Sequence, residues 1–541
     1  MTNGKASRWK WCSISILIFV VPLLSQQNLN INDQEYFETP GLNVMVFHDF
    51  YPEGHQGGVA LIQHGVRTAT NGDLRLSPTP GQWQPLPKMI ERTVHPDRQE
   101  ISVSLMYPDS SRHRRGFNPM IYPDLEFHYT VRVKAEDTSF KIIVDLEKPL
   151  PEEWVGRVGF NLELFPTIFF GKTFNMDGEV GLFPRQANGP MVKDANGDFY
   201  AAPLAKGEKL IIAPRDDKQQ LNIESTNSDL LLLDGRGNHN NGWFVVRSLI
   251  PAGETNGAIE WNVTPHVIPN WQYEPVIHVS QVGFHPDQPK RAVIELDEDD
   301  MNIQTAMLKR LSDDGDVETV KTATPEEWGQ FLRYKYVIFD FSDISQQGMY
   351  FIEYGDDKSN PFQISSDVYQ RHVWQPTLEY FLPVQMCHMR VNEKYRVWHG
   401  MCHMDDALMA PTNINHFDGY SQGSSTLTHY NELEHVPGLN AGGWHDAGDY
   451  DLRVESQAGT VYMLALAYEE FNVEWDQTLI DQKRHVVEIH HPDGKPDVLQ
   501  QVEHGVLSIL GGYKNLGRLY RGIICPTLRQ YVMLGDAASM T

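Results

Sequence analysis

Near Tyr369 the apolar residues of this chain change their period from two to about 3.6, which separates a strand-forming part from a helix-forming one. Upstream, short alternating runs dominate: LEFHYTVRVKA (Leu125–Ala135), FKIIVDLE (Phe140–Glu147) and GWFVVRSLI (Gly242–Ile250), separated by turn signals such as DGRGNHNNG (Asp234–Gly242). A period of two sends successive side chains to opposite faces of a strand. Downstream, apolar residues recur every three to four positions in Tyr369–Met389, in VESQAGTVYMLALAYEEF (Val454–Phe471) and in PDVLQQVEHGVLSILGGY (Pro496–Tyr513). That is the period of a helix. In the last of these, Asp497 near the start and Gly511-Gly512 read as helix boundary signals.

With 541 residues, the chain exceeds the roughly 100–200 residues of a typical domain. The pattern predicts a multidomain protein with a large all-β antiparallel sandwich over residues 26–272. A second, immunoglobulin-like β-sandwich over 273–365 begins at EPVIHVSQVGFHPDQPKRAVIELD (Glu274–Asp297), and an all-helical region fills 366–541. DANGD (Asp194–Asp198) reads as a plain turn, because an EF-hand needs an acid at its twelfth position and Ala205 stands there. A net charge of −26 without any basic stripe argues against nucleic acid as a partner.

Arg8 and Lys10 precede an apolar run from Ile14 to Leu24, then the polar SQQNLN. This reads as a signal peptide over residues 1–25, so the protein is expected to be secreted or periplasmic, with no stable membrane insertion after cleavage. If Cys12 leaves with the signal, Cys387, Cys402 and Cys525 remain. An odd number is no disulfide framework.

The stretch GGWHDAGDYD (Gly442–Asp451) sets Asp446 and Asp449 three apart, before a helix. At that spacing both carboxylates can face one water, while Asp451 alternates out of the arrangement. An ionised carboxylate can then take a proton from a water aimed at an acetal carbon, with an acid on the other side protonating the leaving oxygen. On spacing alone a helix cap, a calcium ligand set and a catalytic pair all stay open.

GGWHDAGDYD resembles the signature carrying the paired aspartates of glycoside hydrolase family 9, the endoglucanase family with an (α/α)6 barrel. Val276–Lys290 is similar to the entry strand of the immunoglobulin-like domain that often precedes that barrel, and DGKPDVLQQVEHGVLSIL (Asp493–Leu510) resembles the helix that follows the aspartates. The resemblance covers roughly Glu274 to Thr541 and implies inverting hydrolysis of a β-glucan, a polysaccharide substrate. It makes Asp449 the general base and Asp446 the residue that orients the water. Trp444 and Tyr450 become candidates to line the sugar site, with core packing equally open for each. It also implies a structural zinc on Cys387, Cys402, His403 and His445, a closed set of two thiolates and two imidazoles. A Cys387–Cys402 disulfide is the rival, His388 and His416 are substitute ligands, and Cys525 reads as a core residue.

The 176 residues from Ser366 to Thr541 leave room for only part of a twelve-helix barrel, so an incomplete barrel is expected. The family's general acid, a late glutamate, would lie beyond Thr541. The chain as it stands is therefore expected to be inactive or nearly so, and hydrolysis of soluble cellulose by the purified 541-residue chain would contradict this. A non-catalytic carbohydrate-binding protein is the main alternative. Another is a glycosidase for glucomannan or xyloglucan, its cleft reshaped by the long stretch between Asp405 and Pro437 that contains NINHFDGYSQG.

Overall fold

A computed structural model describes residues 28–48, 50–51, 54–55, 57–78, 85–108, 123–193, 197, 199–238, 242–405, 407–412, 422, 428–445, 451–524 and 531–533. The expected signal segment, most of DANGD, His416 with the stretch around it, Asp446, Asp449, Tyr450 and Cys525 lie outside the described residues.

Two nine-stranded sheets form the first sandwich. One runs in the order Asn30–Ile31, Phe37–Thr39, Leu42–Phe47, Gly58–Gln63, Val66–Leu76, Val158–Leu164, Phe244–Leu249, Leu230–Asp234 and Pro203–Gly207. The other runs Glu179–Leu182, Thr173–Met176, Lys209–Ile212, Leu221–Ser225, Ile259–Pro265, Ser139–Leu146, Phe127–Glu136, Glu100–Tyr107 and Lys88–His95. Their inward positions, among them Phe37, Phe140, Phe160, Phe244 and Trp261, are fully buried and make one core. The Trp261 indole N–H donates to Ser248 Oγ at 2.9 Å, so the one polar atom of that large ring is satisfied.

The two outward faces differ. Phe127–Glu136 alternates buried with exposed or half-buried residues, as a sheet with one wet face should. Val66–Leu76 and Val158–Leu164 are buried on both faces over nearly their whole length, although their outward positions are polar.

The second sandwich sets Val276–His278, Arg291–Asp297, Tyr334–Asp340 and Glu326–Phe331 against Val317–Ala323, Ala306–Leu311 and Gly348–Tyr354. Alternate residues of these strands, including Ile294, Leu296, Phe339, Phe341, Tyr350 and Ile352, form a separate core.

Beyond it the two long helices are Val454–Phe471 and Asp497–Leu516. The expected all-helical region is otherwise corrected. Of Tyr369–Met389 residues 375–385 are helical, with a π-helical turn at Thr377–Phe381 followed by Leu382–Gln385, and the chain then turns into extended backbone at Met386. Two small four-stranded sheets stand where helices were expected, one built from Arg390–Glu393, Arg396–His399, Thr478–Asp481 and Val486–Ile489. Gly511-Gly512 does not stop its helix, which continues to Leu516 and ends at Gly517 with φ of 71°. Those glycines serve close approach instead: a Cβ on Gly511 would lie 1.8 Å from the Gly438 carbonyl oxygen, and one on Gly512 would lie 2.2 Å from the Tyr520 ring. No described helix is long and apolar enough to cross a membrane.

Candidate metal centre beside the aspartate loop

A short antiparallel bridge fixes where the aspartate motif begins. Met386 pairs with Trp444, the His445 N–H donates to the Gln385 carbonyl at 2.9 Å, and the Cys387 N–H donates to the Gly443 carbonyl at 2.9 Å. Cys387 and His445 are thereby held on neighbouring chains although 58 positions separate them in sequence.

Cys402 and His403 approach from a third segment. His403 holds the left-handed conformation, φ 58°, uncommon for a side chain of its size, and its carbonyl accepts from Asn440 Nδ2 at 3.1 Å. The result is a compact donor set: one ligand atom each from Cys387, Cys402, His403 and His445, all within 4.8 Å of one another. Cys387 Sγ and Cys402 Sγ are 3.7 Å apart, and Cys402 Sγ lies 3.4 Å from His445 Nε2. A tetrahedron with Zn–S of about 2.3 Å and Zn–N of about 2.0 Å has S···S edges of about 3.8 Å and S···N edges of about 3.5 Å. The set fits zinc in identity, number and spacing. Both thiols are free, so the expected rival disulfide is not what this structure holds.

The surroundings favour a thiolate. Cys402 is held far below the ordinary thiol range, chiefly by the Cys387 sulfur, with His399 and His445 adding to it. His399, which sequence reasoning missed, stands beside His445 with ring centroids 5.9 Å apart, and its imidazole is pushed up first by the Cys402 sulfur. His388, a substitute ligand by sequence, faces elsewhere with one nitrogen: its Nδ1–H donates to the Gly442 carbonyl at 3.0 Å.

Asp446, Asp449 and Tyr450 belong to residues 446–450, but both flanks of that stretch are described and firmly held. On the near side the Gln457 carboxamide clamps the Trp444 backbone, its oxygen accepting from the Trp444 N–H and its NH2 donating to the Trp444 carbonyl, each at 2.8 Å. His504 Nε2–H donates to the Gly443 carbonyl at 2.8 Å. On the far side Leu452–Arg453 pairs with Gly522–Ile524, and the Asp451 carboxylate meets the Arg453 guanidinium at 3.2 Å. Asp451 is buried and ion-paired.

Trp444 is not a sugar platform. Its ring is 4% exposed, its indole N–H donates to Gln501 Oε1 at 2.8 Å, and it packs over Gly505, where any Cβ would lie 2.3 Å from it. Core packing, the alternative open in the sequence, is the outcome, because glycine at 505 leaves room for the ring between the two helices. Gln457, Gln501 and His504 carried no signal in the sequence, since polar residues at helical spacing look like a solvated face.

Gly442 and Gly443 have φ of 74° and 84°. A Cβ on Gly442 would lie 2.2 Å from the His504 carbonyl oxygen, so Gly442→Ala is expected to lower the stability of this region by about 1–3 kcal/mol, read by calorimetric unfolding. An unchanged midpoint would show that the loop is not seated on this helix.

Full burial pushes His504 down to about 3. A histidine depressed when folded contributes stability that is present above its unfolded value and lost as pH falls toward the folded one. The stability difference between the chain and His504→Gln should therefore shrink by up to about 3 kcal/mol between pH 7 and pH 4, as measured by urea unfolding of the helical signal. A difference independent of pH would mean that His504 is not buried neutral.

The family model described as the cellulase N-terminal ig-like domain matches residues 272–359. Endoglucanase D of Acetivibrio thermocellus is 27% identical over 231 residues, 42% of this chain and 32% of that protein. Cellodextrinase of Butyrivibrio fibrisolvens is 26% identical over 228 residues, 42% of this chain and 35% of that protein. Among solved structures, a metagenome-derived glycoside hydrolase family 9 endoglucanase matches with a TM-score of 0.36 and 24% identity, covering 48% of this chain and 46% of that one. The chain spans about a third of the length of the curated relatives it matches. Residues 272–359 thus match a cellulase N-terminal ig-like domain, and the chain is similar over part of its length to an endoglucanase and a cellodextrinase.

Proposed function

We propose that the protein is a secreted or periplasmic glycoside hydrolase that hydrolyses β-1,4-glucosidic bonds of cellulose or a related β-glucan with inversion at the anomeric carbon. The observation that carries this reading is the firm seating of the two segments that flank residues 446–450, Gly443–Trp444 in the Gln457 and His504 clamps and Leu452–Arg453 in its pairing. Such anchoring suits a loop that must hold carboxylates at a fixed place. Two relatives bear the names endoglucanase and cellodextrinase, which favours β-glucan over other polysaccharides.

In this reading Asp449 removes a proton from water as its oxygen attacks the anomeric carbon, and Asp446 orients that water. A general acid on the opposite face protonates the departing oxygen, and the configuration inverts. Cys387, Cys402, His403 and His445 would hold a structural zinc, which, when bound, ties the Gln385–Cys387 segment to the start of the aspartate loop and supplies nothing to the reaction itself. The test is hydrolysis of soluble cellulose by protein expressed from its full reading frame, with and without Asp449→Asn, the anomer released first being read by NMR. Unchanged activity in the variant, or first release of the β-anomer, would overturn the assignment.

A further inference from the structure

The outward face of the first nine-stranded sheet is buried and charged. Register places Arg75 opposite Gly159 and Arg247 opposite Asn161, so the central strands Val66–Leu76, Val158–Leu164 and Phe244–Leu249 bring these groups to one patch. Arg75, Asn161, Glu163 and Arg247 are each at most 6% exposed. Hydrophobic residues in such positions would make a sandwich at least as stable, since each buried charge loses its hydration. Stability therefore does not explain the patch, and desolvated charges gathered on one face are a mark of a functional site.

Most of these groups hold one another. Asn71 Nδ2 donates to Glu163 Oε2 at 2.6 Å, and Arg247 donates to Asn161 Oδ1 at 2.8 Å and to the Arg75 and Arg157 carbonyls. Burial pushes Glu163 up, while Arg75 and Asn71 oppose it. Arg247 is pushed down to about 10 by burial and then by the neighbouring Arg75.

Arg75 is the exception. Its side chain is 6% exposed, yet among the described residues its guanidinium makes no hydrogen bond, only an ion pair with Glu163 at 3.9 Å. Asn161 gives its oxygen to Arg247 and keeps its NH2 without a hydrogen bond among the described residues. The donors left over on this face are thus a guanidinium fork and an amide NH2. Both call for an acceptor, and a planar carboxylate matches the fork in two bonds at once.

We propose that this face is a second binding site, which takes the carboxylate of an acidic sugar, a uronate unit of a polysaccharide, against Arg75 and Asn161. The carboxylate follows from the unused donors; that a sugar carries it rests on the reading of the chain as a polysaccharide hydrolase. The test is calorimetric titration of the full chain with glucuronate and trigalacturonate, beside cellotriose as a neutral sugar and citrate as a carboxylate that is not a sugar. The uronates are expected to bind. Arg75→Gln combined with Glu163→Gln, which leaves no orphaned charge, should weaken them by at least about tenfold. Asn161→Asp still accepts from Arg247 but turns the free donor into an acceptor, and it should weaken them likewise in protein shown to remain folded. Equal uronate binding in both variants, or no uronate binding by the parent chain, would overturn the site. Binding of cellotriose alone would overturn the carboxylate, and binding of citrate alone would overturn the sugar. Neither result bears on glucan hydrolysis, which is tested separately at Asp449.

Discussion

The purified chain is expected to bind one zinc ion, and Cys402→Ser is expected to abolish that binding at micromolar metal. Cys402 sits at the middle of the donor set, 3.7 Å from one partner sulfur and 3.4 Å from the His445 nitrogen, so its loss removes two edges of the tetrahedron at once. Structural zinc sites contribute apparent binding energies of about 10–16 kcal/mol in small metal-dependent folds, and binding to the folded state alone becomes folding energy. Chelation should therefore lower the unfolding midpoint of the helical region, where Cys387 and Cys402 belong to or pack on its core, while the first sandwich, with a separate core, keeps its own. Cobalt in place of zinc gives an independent reading, since two thiolates in tetrahedral geometry produce a sulfur-to-metal charge-transfer band. A parent chain with neither metal nor that band would remove the assignment whatever the variant does.

The domain-scale plan was legible because period is a local property. Strands such as Phe127–Glu136 alternate in the sequence as they do in burial, and Val454–Phe471 forms a helix over the whole span its spacing predicts. Closeness in space is not local. The four metal donors were named only through a family resemblance, and the structure brings them together through one bridge between Met386 and Trp444. Trp444 and Gly505 show the converse: a ring beside catalytic candidates suggests a sugar contact, until a glycine 61 positions later leaves it a place in the core.

The buried polar face was illegible for another reason. Thr68 and Thr70 flank Ala69, and Arg75 stands between Leu74 and Leu76, as they would on a wet strand, and nothing in the alternation tells whether water or protein meets the polar side. The small sheets beyond Tyr369 were missed because strands of four residues, such as Thr478–Asp481, span only about one helical turn or two strand periods, too few to tell one period from the other.

In protein expressed from its full reading frame, as in the hydrolysis test above, replacing Asp449 by asparagine is expected to lower kcat on soluble cellulose by about 10²–10⁴, the usual worth of a positioned general base, with KM little changed. Asparagine keeps the shape and can still hold a water, but it has no lone charge to take the proton, so the loss should fall on the chemical step. Asp446→Asn should cost less, because its role is to orient a water that Asp449 still deprotonates. Asp451 supplies the control within the same ten residues: buried and paired with Arg453, it should affect the unfolding midpoint of Asp451→Asn more than the rate of whatever remains folded. The His445→Ala variant separates position from chemistry. It leaves both aspartates intact but removes a donor that sits one residue before them, so a fall in rate there should be accompanied by loss of zinc and of stability, whereas Asp449→Asn should keep both. If Asp449→Asn loses zinc or unfolds, the aspartate is part of the scaffold and not its base; if it retains full activity, the water is activated elsewhere.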